Sequence, residues 1–212
     1  MRSQKITSGA VLTGHVVNST QLLPKQEREL FGRLMNETLK GHPYEFYRGD
    51  SFQAFIDKPE KALQLALACR VLAIRFSDQT VLTIDIRISI AIGKVTLPIS
   101  SLGTAKEQPF ILSGRRLDTL KEEGRRIAIT CGDAKADIAF DIMSSYLDSI
   151  LRKMTTTQAD VIVELLNGKS QQQLAGSLGK SKSTISELAT AGRWSEIDTL
   201  MKQYEQLVKL II

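Results

Sequence analysis

Residues 83–93 read TIDIRISIAIG. Isoleucine occupies every second position from Ile84 to Ile92, and Asp, Arg, Ser and Ala occupy the positions between them. Side chains of a β-strand alternate between the two faces of a sheet, whereas those of a helix repeat about every 3.6 residues. We therefore predict a strand over residues 83–93, with one apolar face and one polar face that carries Asp85 and Arg87.

The sequence on either side of this strand alternates between strand and helix patterns. The dipeptide Gly49-Asp50 predicts the turn of a hairpin, and Gly41 and Gly124 mark the ends of helices. The predicted strands cover residues 10–17, 44–48, 51–56 and 127–130, with a short return strand over 94–99, and the predicted helices cover residues 30–39, 60–76 and 110–123. Helices on one face of a mostly antiparallel sheet satisfy this order, which predicts an α+β fold, a ferredoxin-like sandwich.

The composition of the 212 residues is typical of a soluble globular protein, with 42% hydrophobic and 24% charged residues. The net charge of +5 favours polyanionic partners without demanding one. The two Cys and two His are scattered singly, which predicts reduced, packed thiols and no zinc site. Because no stretch approaches about 18 consecutive apolar residues, we expect no membrane segment and a cytoplasmic protein. We also expect no cofactor.

The strongest pattern of the sequence lies in residues 157–197. Two short helices that cross steeply need a small residue at the crossing and a turn residue that tolerates positive φ, which Ala175 and Gly179 supply. Ser181 is placed to cap the second helix, and Ile185 anchors it from below. These residues predict a helix-turn-helix, with the turn at residues 178–181 and the recognition helix over residues 181–190.

A supporting helix precedes this pair, with a capping box of Thr157 and Asp160 at its start. The register predicts which side chains face outward. Gln171 and Gln172 are predicted to contact phosphate, and the predicted contacts to base edges are Ser181, Lys182, Ser183, Ser186, Glu187 and Thr190. The alternative is a three-helix bundle used for dimerisation or protein contact. We thus predict an α+β domain over residues 1–136, a connecting helix over 137–153 that leads away from it, and an all-α helix-turn-helix domain over 154–212.

Four short stretches carry a resemblance that covers nearly the whole chain: GHVVNST (14–20), RGDSF (48–52), RISIAIG (87–93) and FILSGRRLDTL (110–120). With the C-terminal pattern they resemble the SatD-like family of bacterial proteins. The same stretches are similar, more distantly, to the catalytic core of class III nucleotide cyclases, which implies a ferredoxin-like fold.

The cyclase resemblance implies a site at which two aspartates hold metal ions on a triphosphate. Asp50 matches the second aspartate, whereas His15 stands at the first, and imidazole suits zinc or copper better than magnesium. A cyclase also has an Asn and an Arg four residues apart, where this sequence has Leu112 and Arg116. We therefore expect no catalytic residue and no metal, and retain His15, Asp50 and Arg116 as candidate ligand-binding residues. Asp50 as a simple turn residue and His15 as a hydrogen-bonded strand-end residue remain alternatives.

The leading hypothesis is a DNA-binding transcriptional regulator. Its α+β domain would sense a small-molecule effector or mediate dimerisation, and a homodimer is expected because one small recognition helix makes few contacts. The alternative is a nucleotide-acting enzyme of the cyclase-like superfamily with an accessory helical domain, in which Asp50, Arg116 and Asp85 form the polar centre. The alternative for Asp85 is a pair with Arg87 across a solvated surface. A third hypothesis is a scaffold that makes only protein contacts.

Overall fold

The computed structural model describes residues 5–47, 49–78 and 83–212 of the chain. Its strands are β1 (Lys5–Val17), β2 (Tyr44–Tyr47), β3 (Ser51–Ile56), β4 (Asp85–Leu97) and β5 (Ile127–Thr130). Its α-helices are α1 (Pro24–Arg33), α2 (Ala62–Ile74), α3 (Gln108–Glu122), α4 (Ala134–Leu151), α5 (Thr156–Leu166), α6 (Gln171–Ser177), α7 (Lys182–Ala191) and α8 (Trp194–Ile211). Among the described residues, no helix combines the length and apolar character that crossing a membrane requires.

The five strands form one sheet in the order β2-β3-β1-β4-β5, so the chain has a mixed α+β fold. All neighbours are antiparallel except β4 and β5, which are parallel. The predicted hairpin is present as β2 and β3, although Arg48, which was predicted to end the first strand, lies outside the described residues. The predicted helix over 30–39 begins earlier, as α1, and changes to a π-helical turn over Leu34–Thr38.

Strand β4 confirms the strand predicted over residues 83–93, but it is longer. The return strand predicted over 94–99 is wrong, because β4 runs straight on and Val95 and Leu97 pair with Thr7 and Lys5 of β1. Gly93 lies at the expected turn but stays within the strand. A Cβ atom there would lie 2.8 Å from the Pro109 ring, so the glycine makes room for the start of α3.

Helices cover both faces of the sheet, which corrects the prediction that they lie on one face. Helices α2 and α4 pack on the face that carries the isoleucines of β4. Helix α3 covers the opposite face, where its Phe110 packs with Val11 and Phe55. Because of this cover, Ser89 and Ala91 are fully buried, although the sequence placed them on a polar face.

Helix α4 belongs to the layer of helices on the sheet. It begins at Ala134, where Asp133 caps it by accepting hydrogen bonds from the backbone N–H groups of Lys135 and Ala136. The helix was predicted to lead away from the sheet, but it packs against β5, because Phe140 and Leu147 are fully buried in the common core.

The C-terminal helices extend the same hydrophobic core. The cluster that contains the isoleucines of β4 also contains Ile162 of α5, Ile185 of α7 and Tyr204 of α8. The hydroxyl of Tyr204 donates to the carbonyl of Pro59 at 2.9 Å. The bounds of the predicted domains stay a prediction. The contacts between the α+β part and the C-terminal helices α5 to α8 are extensive. Cys69 is buried within this core as a free thiol, and burial raises its pKa to about 12.

Candidate functional site

A row of polar residues crosses one end of the sheet. The antiparallel register pairs His15 of β1 with Ser51 of β3 on one side and with Arg87 of β4 on the other. The parallel register of β4 with β5 sets Arg126 beside Arg87, and the Arg126 carbonyl accepts the backbone N–H of Ile88 at 2.8 Å. Residues paired across strands share a face, so Ser51, His15, Arg87 and Arg126 form one row, which we call the polar row.

His15 and Asp50 meet at the end of this row. Nδ1 of His15 lies 3.3 Å from Oδ1 of Asp50 and 3.1 Å from the Ser51 hydroxyl. Ser51 donates to Oδ1 of Asp50 and Ser19 donates to Oδ2, at 3.2 and 3.3 Å. The side chains of His15 and Asp50 are 35% and 29% exposed, so an external ligand can reach both. The structure therefore joins an imidazole, a carboxylate and two hydroxyls in one accessible cluster.

Arg116 does not join this cluster. Its guanidinium donates to Thr119 and Glu123, and it lies 3.8 Å from the carboxylate of Asp141 on α4. Within the described parts of the chain, none of these partners contacts His15 or Asp50. Arg116 therefore does not meet His15 and Asp50 in these contacts, because α3 directs it toward α4.

Asp85 lies in a buried ionic network instead of on a solvated surface. Both of its oxygens accept from Arg70, with distances of 3.0 Å from Nε and 2.7 Å from Nη2. Nη1 of Arg70 donates to Asp148 at 2.9 Å. Burial opposes the charge of Arg70, but the two carboxylates outweigh it, and the pKa of Arg70 is raised. Sequence reasoning missed Arg70 and Asp148, although Arg70 is the one charged residue of the apolar helix α2.

Arg87 forms no such pair with a carboxylate of the described residues. Its Nε atom is buried and forms no hydrogen bond with any described residue. Burial and the neighbouring positive charge of Arg126 lower the pKa of Arg87. The negative charge of Asp85 offsets this lowering only in part. The predicted pair of Asp85 and Arg87 is thus replaced by the bidentate pair of Asp85 and Arg70.

The second candidate region is the pair of helices α6 and α7. Gly179 has the positive φ of +60° that the sequence predicts for the turn between them. The hydroxyl of Ser181 accepts the backbone N–H of Thr184 at 3.1 Å, so Ser181 caps α7 as predicted. The helix predicted over residues 181–190 is present as α7, and its role as a recognition helix stays a prediction. Its residues Ile185 and Ala189 are buried.

The start of the supporting helix differs from the prediction. Thr155 and Gln158 form the capping box of α5, each accepting a backbone N–H of the other. Thr157 and Asp160, which the sequence singled out, lie inside the helix. Asp160 instead accepts from Nε of Arg75 at 2.7 Å, which ties α5 to the end of α2.

The side chains predicted to contact DNA lie on the surface. Gln171 is half-buried, and the others are exposed: Gln172, Ser181, Lys182, Ser183, Ser186, Glu187 and Thr190. Lys180 is also exposed, and neither Lys180 nor Lys182 forms an ion pair with a described residue. Lys169 pairs with Glu164 at 2.8 Å. Contact of these residues with DNA stays a prediction.

No family model matches this sequence, and no curated protein matches it. Solved structures that are similar include a bacterial light-regulated adenylyl cyclase (13% identity, TM-score 0.45, 60% of this chain). Others are the catalytic core of a rhodopsin-guanylyl cyclase in complex with ATPαS (21%, 0.42, 55%) and the active GGEEF domain of a diguanylate cyclase from Vibrio cholerae (15%, 0.39, 59%). The chain spans 44% of the length of the first structure and 75% and 82% of the other two. These similarities cover only part of the chain. The resemblance to the SatD-like family stays a prediction.

Proposed function

We propose that this protein is a DNA-binding transcriptional regulator in which α6 and α7 form a helix-turn-helix and α7 reads the major groove. The observation that carries the proposal is the division of α7 into two faces. Ile185 and Ala189 are buried against neighbouring helices, whereas the opposite face is exposed and carries polar and charged side chains. A helix that enters a groove needs such an unobstructed polar face, because its side chains must reach the base edges.

The dimensions and charges of α7 support this function. Its ten residues give a length of about 15 Å, and the major groove is about 12 Å wide and admits one helix. Lys182 and Lys180, at its start, are placed to approach phosphates on the groove edge. Glu187, one turn further along, would be repelled by phosphate and would instead accept a hydrogen bond from a cytosine amino group.

The α+β part is proposed as a non-catalytic domain for ligand sensing or dimerisation. Strand order β2-β3-β1-β4, with α1 and α2 in the connections, supports a ferredoxin-like arrangement for this part. A homodimer follows from the small size of α7, because one short helix contacts few bases. Two copies on half-sites separated by about 34 Å would multiply the affinity.

A gel-shift experiment with the DNA upstream of the protein's own gene tests this function. Lys182→Glu replaces attraction to phosphate by repulsion, and we expect the affinity to fall at least about tenfold. The matched control is Lys209→Glu, which makes the same charge change at an exposed position on α8 and should leave the affinity within about twofold. Unchanged binding by the Lys182 variant would overturn the assignment of α7 as the DNA-reading helix. If the wild-type protein binds no DNA, the proposal of a transcriptional regulator is overturned.

The second candidate is a nucleotide-acting enzyme, favoured by the assembled cluster of His15, Asp50 and Ser51. Arg116, which this candidate needs, is held by Glu123 instead. Incubation of the purified protein with ATP or GTP and Mg²⁺ or Mn²⁺ separates the two functions. Turnover that Asp50→Ala abolishes and Asp118→Ala, at an exposed position on α3, leaves intact would favour the enzyme.

A further inference from the structure

Charges are unbalanced at the end of the sheet that carries the polar row. Asp85 and Asp148 both bond to the buried Arg70, and Asp148 also accepts from Arg152 at 3.0 Å. Nε of Arg126 lies 3.9 Å from Asp85, which is beyond hydrogen-bonding distance. Both carboxylates are thus committed elsewhere. The excess positive charge falls on the two remaining guanidinium groups of this end, those of Arg87 and Arg126.

The two groups lie side by side. The register that pairs Ile88 with Ile127 sets Arg87 directly beside Arg126 on the neighbouring strand. Like charges opposite one another across strands destabilise a sheet. The effect is strengthened here because Arg87 is half-buried and its Nε atom is screened from solvent without a partner. An anion bound between the two arginines would offset this repulsion.

We propose that Arg87 and Arg126 together bind a phosphate group. Each guanidinium presents donors in a planar fork that matches two oxygens of a phosphate, and a phosphate supplies negative charge between Arg87 and Arg126. Beyond Arg87 the polar row continues to His15, whose partly exposed ring is the next group that a longer phosphate chain would meet.

Arg126 lines a cavity of about 520 Å³ and can be reached from it, whereas Arg87 is half-buried beside it on β4. The cavity is also lined by two basic residues, Arg152 and Lys153, by two acidic ones, Asp78 and Asp85, and by apolar residues of α2 and α4. Among the described lining residues the basic ones, with Arg126, therefore exceed the acidic ones by one. The inference does not rest on DNA reading by α7, since Arg87 lies on β4 and Arg126 directly precedes β5.

Isothermal titration of the full chain with inorganic phosphate, pyrophosphate and ATP, each at constant ionic strength, tests the inference. We expect Arg87→Gln to weaken binding at least about tenfold, because one of the two forks is lost. Arg115→Gln removes the same charge from an exposed position on α3 and should change the affinity less than about twofold. Equal affinity for all three probes would assign a single phosphate group, and tighter binding of pyrophosphate and ATP would assign a phosphate chain.

A melting experiment without ligand gives an independent readout. Because Arg87→Gln relieves the repulsion from Arg126, we expect this variant to melt at a higher temperature than the wild type and to lose the rise that phosphate produces. Arg87→Lys, which keeps the charge but not the fork, serves if the Gln variant does not fold, and it should lose the same rise. Absence of binding of all three probes at millimolar concentration would overturn the inference, as would an equal loss in Arg115→Gln.

Discussion

Arg70 shows how a single side chain can join three elements of this fold. It lies in the middle of α2 with no solvent exposure, and it bonds to Asp85 at the start of β4 and to Asp148 on α4. Taking three ionised groups out of water is costly, and the attraction among them offsets that cost only if every group keeps its partner. The network is therefore sensitive to the loss of any one member.

Replacing Arg70 by Met should lower the free energy of unfolding by about 3–5 kcal/mol, because Asp85 and Asp148 are then left buried without a cation. Urea denaturation followed by circular dichroism measures this value. Arg75→Met is the matched control on the same segment, since its pair with Asp160 is partly exposed and should contribute about 1 kcal/mol or less. Similar losses in the two variants would contradict the special role of the buried network.

At the scale of single residues, the sequence predicted which residues are of interest better than it predicted which side chains they contact. His15 and Asp50 were singled out and do meet. Asp85 was assigned a solvated surface because strand alternation reveals which face a residue occupies but not what covers that face. The network could not be found, because Arg70 meets Asp85 only when α2 packs on the sheet, and it meets Asp148, 78 positions away, only when α4 packs beside it.

The turn between α6 and α7 is the element that the sequence predicted most fully. Both of its deciding features are local, namely the positive φ at Gly179 and the cap formed by Ser181. The start of α5 was misplaced by two residues because Thr155 and Thr157 offer equivalent caps. In the structure Asp160 is bound by Arg75, from outside the segment, and Gln158 completes the capping box instead.

Substituting Gly179 by Ala should destabilise the protein by about 1–2 kcal/mol, because a Cβ atom strains a left-handed backbone conformation. Gly176 is the control, since it lies within α6 and a Cβ atom there would meet no atom within 4 Å. Gly176→Ala should stabilise by about 0.5–1 kcal/mol through the helix propensity of alanine. Thermal melts of the two variants should therefore move in opposite directions, and a shift of the same sign would refute this account of the turn.

The error at β4 has a similar physical origin. Gly93 followed by Lys94 is typical of a turn, so the sequence predicted a return strand. The structure keeps the strand extended because residues from Lys5 onward in β1 supply a pairing partner along its whole length. Such pairing depends on a strand some ninety positions away, which no local pattern reveals.

At the scale of the whole molecule, the C-terminal helices share their core with the sheet. Tyr204 of α8 is fully buried and bonds to Pro59, and Lys61 pairs with Glu205 at 2.6 Å. Nε2 of Gln64 donates to the carbonyl of Leu166 at 2.6 Å. These contacts couple a region that the sequence presented as separate to the α+β part.

We expect one cooperative unfolding transition for the chain. Trp194 is the sole tryptophan and begins α8, so its fluorescence reports on the C-terminal helices, while circular dichroism reports on the whole chain. Because the core is continuous, the two urea transitions should coincide. Tyr204→Phe, which loses one buried hydrogen bond, should shift both by the same amount, about 1 kcal/mol. A fluorescence transition at lower urea than the dichroism transition would instead support two independent domains.

The burial of Tyr204 also bears on how the protein is made. Translation delivers α2 and α4 long before α8, and the apolar surface around Phe140, which Tyr204 covers at a ring distance of 5.8 Å, stays uncovered in the meantime. All five strands and the helices that pack on them are therefore synthesised before the helix that completes their common core. During that interval, this surface is a binding site for chaperones and a risk for aggregation.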